Sequence, residues 1–214
     1  MSERHDDVDG RTARANKQRA SRRADILDGA LEVFGRKGYH QTHVSDIIQA
    51  AGIARGTFYL YFEGKNAIFL ELLDRLLRRL ERSIVGVETG PESPPVETQL
   101  VGTVRGILDT VVQNRLLTNI IIREAVGLDE EVDRRLGEFY RSLLRYIRES
   151  LEEGRRLGYV RPIDTQVAAM CILGTIKQFM EQLVMMEEDA AVDVDHLAFS
   201  VLDFNLRGVL NTPS

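Results

Sequence analysis

The 214-residue chain contains a single cysteine, Cys171, no tryptophan, four histidines and five prolines. One thiol excludes an internal disulfide and suits a reducing compartment. The histidines, His5, His40, His43 and His196, include no pair at the four-residue spacing that sets two ligands on one helical face, and there is no Cys-x-x-Cys pair. His40 and His43 stand three apart and flank a loop, where a structural role is expected rather than metal ligation. No glycine-rich phosphate loop and no serine elbow is present. The carboxylates fall on polar helix faces, where solvation is their ordinary role. Neither a catalytic group, a metal site nor a cofactor is therefore expected. The opening MSERHDDVDG is polar and acidic and offers no apolar signal core. The longest apolar run, Val167 to Ile176, is short of the roughly 20 residues a membrane-spanning helix needs. A soluble cytoplasmic protein is the expectation. No stretch alternates with period two, which excludes recognisable strands, and no internal repeat occurs.

What is present is an ordinary globular balance, 43% hydrophobic and 29% charged, on a chain of net charge −5. The distribution of that charge is uneven. From Arg11 to Lys37 there are eight Lys/Arg against three Asp/Glu, whereas residues 66–214 hold 17 against 24. A basic N-terminal piece on an acidic body gives a directional field able to hold a polyanion at one end. A merely solvated basic helix is the other reading of the same numbers.

Residues 1–20 have almost no apolar content and read as a disordered basic arm. From Ser21 a helical period begins, with Ile26, Ala30, Leu31, Val33 and Phe34 on one face, and it stops at Gly38. Thr42 is a candidate N-cap for a short helix through Ile47, Ile48 and Ala51. Gly52 supplies a turn position that needs positive φ, and a third short helix follows from Ala54 to Leu60. Three short helices, the last two joined by a glycine turn, outline a helix-turn-helix. A long amphipathic helix opens at Lys65 and ends at the loop GVETGPESPP. Helices carrying Leu100 to Val111, LLTNIIIREAVG, and Val132 to Leu151 follow; GYVRP breaks the last of these. Two more, about Asp164 to Met186 and Val194 to Leu210, finish an all-α chain of about nine helices. The expected organisation is an arm over 1–20, a helix-turn-helix domain over 21–66 and a second helical domain over 67–214.

The segment QTHVSDIIQAAGIARGTFYLYFEGKNAIF, residues 41–69, carries the chemistry. Val44, Ile47, Ile48, Ile53, Phe58 and Phe62 can close a small core, leaving Thr42, His43, Arg55, Gly56, Thr57, Tyr59, Tyr61 and Lys65 outside. Arg55 suits two hydrogen bonds to a guanine edge or one to a phosphate, and Thr57 offers a methyl to a thymine. Gly56 lets the backbone approach closely. Tyr59 and Tyr61 are long enough to set hydroxyls on phosphates. Lys65 and Thr42 stand at helix starts, where free N–H groups and the dipole favour an anion. Taken singly, each is more simply read as a solvated surface residue or the rim of an aromatic core.

Taken together, residues 21–70 resemble the DNA-binding domain of the TetR family of bacterial regulators. The likeness runs from VFGRKGYHQTHVSDI through AAGIARGTFYLYF to the lysine opening the fourth helix, with GTFYLYFEGK its most specific phrase. The resemblance implies that Ala54 to Leu60 is a recognition helix and that a dimer binds a palindromic operator in double-stranded DNA. It places Tyr59 and Lys65 on phosphates, Arg55 and Thr57 at bases or phosphates, and Thr42 on the backbone. It further implies a four-helix dimer bundle from the last two helices, and a small-molecule cavity among the middle ones. His43 stands where many members have threonine, and Leu60 where some carry a polar or aromatic contact residue. Arg11, Arg14, Lys17 and Arg19 of the arm are within reach of a minor groove, or are a tail without contacts.

The last two helices are apolar over more than one face, as expected of helices packing both on their own core and on a second copy. Ile172, Ile176, Leu183, Leu197, Val201 and Phe204 are the candidate dimer interface; a helix wholly inside one chain's core is the alternative. Candidates for lining an effector pocket are Arg123, Glu124, Phe139, Tyr140, Met170, Phe179 and Met180, a composition suited to a hydrophobic ligand with a charged head. Cys171 is expected to be a small buried hydrophobe. These readings predict a repressor released from its operator by a small hydrophobic effector. The rivals are a DNA-anchored protein-interaction module without a ligand and a helical carrier that does not touch DNA.

Overall fold

A computed structural model describes residues 3–186 and 192–209. The described residues form nine α-helices and no strand: α1 Glu3–Lys37, α2 Val44–Ala50, α3 Arg55–Tyr59, α4 Lys65–Ser83, α5 Val96–Gln113, α6 Arg115–Glu124, α7 Glu130–Arg156, α8 Thr165–Met185 and α9 Val194–Val209. The chain divides into two compact units, 1–74 and 75–214, with the boundary inside α4. The motif alone places that boundary at 66/67. It falls later because the first turns of α4 belong to the first unit's core. Ile68, Phe69, Leu72 and Leu73 are buried, and the Phe69 ring meets Tyr39 at 5.1 Å and Phe34 at 6.3 Å.

In the first unit, α1 supplies Ile26, Leu27, Ala30, Val33 and Phe34 to a core completed by Ile47, Phe58 and Phe62. Gly38 ends α1 at φ 77°, its N–H donating to Phe34 O, and Gly52 turns α2 into α3 at φ 61°. A Cβ on Gly29 would lie 2.9 Å from Ala51 N, so α1 and the end of α2 cross with no room for a side chain. The expectation of a disordered arm over 1–20 is not what the backbone shows. From Glu3 onward it is helical and continuous with α1. After Gly10 the stretch RTARANKQRASRRA contains no glycine or proline and is rich in Ala, Arg, Lys and Gln, all strong helix formers. Low hydrophobicity predicts that such a segment has no core to join, not that it lacks helix.

In the second unit α5 packs on α6, α8 and α9, and α7 packs on α8. Asp129 caps α7 by accepting from Val132 N–H at 2.9 Å, and Asp164 caps α8 by accepting from Gln166 and Val167 N–H. Leu151, Val160, Ala169 and Val209 form a small core joining α7, α8 and α9. Arg161 ties the α7–α8 link to the end of α9, its N–H donating to Val209 O and its Nε to Gly208 O. By length and composition α8, at 21 residues and mean hydropathy 1.2, could also cross a membrane; its apolar residues are spread over two faces, and 17% of that stretch is buried. Counting only the unbroken run Val167–Ile176 misses this.

Candidate nucleic-acid interface and apolar cavity

Two cations tie the helix-turn-helix to the helices that flank it, α1 and α4. Arg23 of α1 lies over the Phe62 ring at 4.3 Å, donates from Nη1 to Tyr61 O at 3.1 Å and pairs with Glu71 of α4. Lys65 donates to three backbone carbonyls of the α1–α2 connection: Tyr39 at 2.8 Å, Thr42 at 3.0 Å and His40 at 3.2 Å. Its ammonium also stands 4.4 Å from the centre of the Tyr39 ring. These bonds take up the three donors of an ammonium. Lys65, expected at a phosphate, is therefore occupied inside the unit. Thr42, expected to cap α2 and meet the DNA backbone, is 1% exposed. Its hydroxyl donates to Gly38 O at 2.7 Å and its N–H to Tyr39 O. The residue that caps α2 is His43. Its N–H donates to Asp46 Oδ2 at 2.9 Å, while Asp46 Oδ1 accepts from Lys37 Nζ at 2.9 Å. The hydrogen bond from Lys37, then that from the His43 N–H, hold the Asp46 carboxyl below its ordinary 3.8.

The other expected contact residues remain open to solvent to differing degrees. Arg55, Gly56 and His43 are exposed, Tyr59 is 49% exposed, and Thr57 and Tyr61 are half-buried. Phe58, fully buried, anchors α3, and its ring meets Tyr59 edge-on at 5.3 Å. The Arg55 guanidinium lies 6.0 Å from the Tyr59 ring centre, so the two share one face. A Cβ on Gly56 would meet nothing within 4 Å. Among the described residues no neighbour requires a glycine there. Leu60, 74% exposed beside Tyr59, adds an apolar group to that end of α3 that suits a thymine methyl. Arg23 was not singled out from the sequence, because its partners lie 38 and 48 residues away.

The second unit holds a partly open cavity of about 740 Å³ whose exposed lining is predominantly apolar. Leu76, Leu80 and Ile84 face it from α4 and the residue that follows, Leu100, Val104 and Ile107 from α5, and Ile121 and Ile122 from α6. Leu136, Phe139, Tyr140, Leu143 and Ile147 of α7 and Ile172, Leu173, Ile176 and Met180 of α8 complete most of the wall. Polar residues also border it, among them Tyr140, Lys177, Glu97, Glu149 and Glu153. Burial pushes the Tyr140 phenol up, with Lys177 pulling the other way. Lys177 is itself raised, chiefly by its bond to Glu181 at 3.0 Å.

Of the seven expected pocket residues, Phe139, Tyr140 and Met180 line this cavity. Arg123 is exposed, and Glu124 and Phe179 are half-buried, all outside its wall. Met170 is 56% exposed on the outer side of α8. The expected dimer residues are likewise redistributed. Ile172 and Ile176 line the cavity, Leu183 and Val201 are buried in the chain, Leu197 is half-buried and Phe204 is 73% exposed. The outward side of α8 instead carries Val167, Met170, Cys171, Gly174, Gln178 and Met185. Cys171 is thus exposed rather than buried. Both arcs of α8 are apolar, so periodicity alone could not say which one turns inward. Among the described residues no group of three or more His, Cys, Asp or Glu could hold a metal ion.

A compact helix-turn-helix with an open recognition helix, followed by an all-helical unit around an apolar cavity, defines a DNA-binding, ligand-responsive transcriptional regulator. The chain belongs to the TetR family. The family model for bacterial regulatory proteins of the tetR family matches residues 26–72, and that for the tetracyclin repressor-like C-terminal domain matches residues 93–181. The fatty acid metabolism regulator protein of Bacillus subtilis (strain 168) is 28% identical over 200 residues, 91% of this chain and 99% of that protein. The crystal structure of FadR from Bacillus subtilis in complex with stearoyl-CoA superposes with a TM-score of 0.67 at 27% identity, covering 86% of this chain and 98% of that one. The fatty acid degradation regulator FadR from Bacillus halodurans gives 0.67 at 29% identity, covering 87% and 95%.

Proposed function

We propose that this regulator is a cytoplasmic, non-enzymatic repressor that binds a palindromic operator as a homodimer and is released by a long-chain acyl effector. The observation that carries the reading is the cavity of about 740 Å³, within the usual range for ligand pockets and walled chiefly by aliphatic side chains of six helices. A protein-interaction module without a ligand would fill that space with side chains. The likeness over most of the chain to a regulator solved with stearoyl-CoA supports an acyl chain as the occupant. The recognition helix presents Arg55, Thr57 and Tyr59 to the major groove, with Tyr59 on a phosphate. Two copies place their recognition helices about 34–36 Å apart, one turn of DNA. The outward apolar side of α8, with Phe199 and Phe204 of α9, is the surface a second copy covers. An effector that binds better to a differently spaced dimer shifts the population off DNA by its differential affinity and no more.

The test is a titration of the operator complex, the operator having been selected from genomic fragments, with acyl-CoAs from eight to eighteen carbons, read by fluorescence anisotropy. Each buried methylene is worth about 0.8 kcal/mol, so two further carbons should lower the half-release concentration roughly tenfold until the cavity is full. Release independent of chain length, or none at all from an intact operator complex, overturns the acyl reading.

A further inference from the structure

Between Asp9 and Asp25 the chain has six Lys/Arg and no acidic residue. That stretch lies in α1, ahead of Ile26, the first residue the core buries. Residues 14–22 are all exposed; the side chain of Arg11 lies outside the described residues. Arg22 meets Asp25 at 3.5 Å, the sole ion pair in which any of Arg14, Lys17, Arg19 and Arg22 takes part among the described residues. At 1.5 Å per residue these four cations occupy roughly 13 Å of helix axis. Immediately after them comes Arg23, whose guanidinium holds the backbone of Tyr61 at the end of the recognition helix. The cationic stretch thus runs into the residue that bonds the backbone just after the recognition helix, and it lies ahead of the first residue the core buries.

We infer that α1 ahead of Arg23 is a second DNA-binding surface, which takes the phosphate backbone of the duplex beside the operator half-site. This rests on the DNA-binding reading and extends it from base recognition by α3 to a sequence-independent contact. Such a projection has no apolar face to bury, which argues against a protein partner. Its charges are spread around more than half of the helix circumference. That arrangement suits attraction to phosphates through long flexible side chains, whereas base reading needs a few side chains at fixed positions. A helix also holds the charges at fixed separation along the axis, which a flexible arm in a minor groove would not.

The experiment measures binding of the full-length protein to the selected operator and to a random-sequence duplex of the same length, across a salt series. The wild type is compared with Arg14→Gln/Lys17→Gln/Arg19→Gln and with the charge-keeping Arg14→Lys/Arg19→Lys. Every phosphate that a side chain no longer neutralises lowers the slope of log K against log salt by about 0.9. The Gln variant should therefore have a slope shallower by about 2–3 and bind both duplexes roughly ten- to a hundredfold more weakly at 0.15 M salt. The ratio between operator and random duplex should stay unchanged, and the Lys variant should behave as wild type. An unchanged slope in the Gln variant overturns the inference, as does weakening confined to the operator, which would mean base reading. If the wild type itself shows no preference for any operator, the fault lies in the DNA-binding reading instead.

Discussion

Three backbone carbonyls, of Tyr39, His40 and Thr42, converge on the Lys65 ammonium, while Tyr59 on the next helix back points half its surface at solvent. The two residues sit six positions apart in one motif, yet their surroundings assign them different work. Removing the ammonium leaves carbonyls of a tight connection short of a partner, at a cost of about 1–3 kcal/mol. Lys65→Met is therefore expected to lower the melting temperature by several degrees, whereas Tyr59→Phe leaves it unchanged and weakens operator binding by the worth of one phosphate hydrogen bond. Thermal unfolding and anisotropy on the same two preparations separate the effects. If Lys65→Met melts like wild type and binds DNA with a shallower salt slope, the lysine is a phosphate ligand after all. The residue types of this site were legible in the sequence, and Gly52 was placed correctly at its turn. What a lysine's charge meets was not legible, because residues 39–42 reach Lys65 only through the fold. The same holds for Thr42, whose type suits a cap and whose burial gives its hydroxyl to Gly38.

Element ends show how far local chemistry reaches. The expected helix from Asp164 to Met186 is observed as Thr165–Met185 with Asp164 as its cap, and the last as Val194–Val209. Caps, glycines and prolines act within a turn of themselves, so the sequence displays them. At the start of α2 the side-chain type points to Thr42, one residue before the cap that forms. The cap is His43, and its N–H is satisfied by Asp46 three positions on. That carboxylate is held below its ordinary 3.8 by Lys37 and the His43 N–H, so its contribution to stability is present above that value. It is lost as pH falls below about 3.8 and through the lower folded value. Melting curves from pH 7 to pH 3 should show Asp46→Ala less stable than wild type at neutral pH and the two converging in acid. A gap that stays constant down to pH 3 would mean that the carboxylate's charge contributes nothing to the start of α2.

At the scale of the molecule, the sequence shows that α8 and α9 carry more apolar surface than one core can use, and that much is present in the structure. It does not show the division of that surface. The arc holding Ile172, Ile176 and Met180 faces the cavity, and the arc holding Val167, Met170 and Gly174 faces outward. The six candidate dimer residues fall on both arcs, and of them Phe204, at 73% exposure, lies plainly outside. The division has a functional consequence for the proposed dimer. One helix borders the effector on one side and the second copy on the other, so a shift of α8 to fit an acyl chain is felt at the subunit seam without a relay of intermediate side chains. Substituting the outward arc should break the seam and leave the cavity whole. Phe204→Glu combined with Met170→Glu is expected to sediment as a monomer at micromolar concentration. The same variant should keep wild-type helicity, retain acyl-CoA binding by calorimetry and lose the cooperative footprint over both operator halves. A doubly substituted protein that remains a dimer would move the seam to another surface. One that loses acyl-CoA binding while staying folded would show that the cavity is closed only by the second copy.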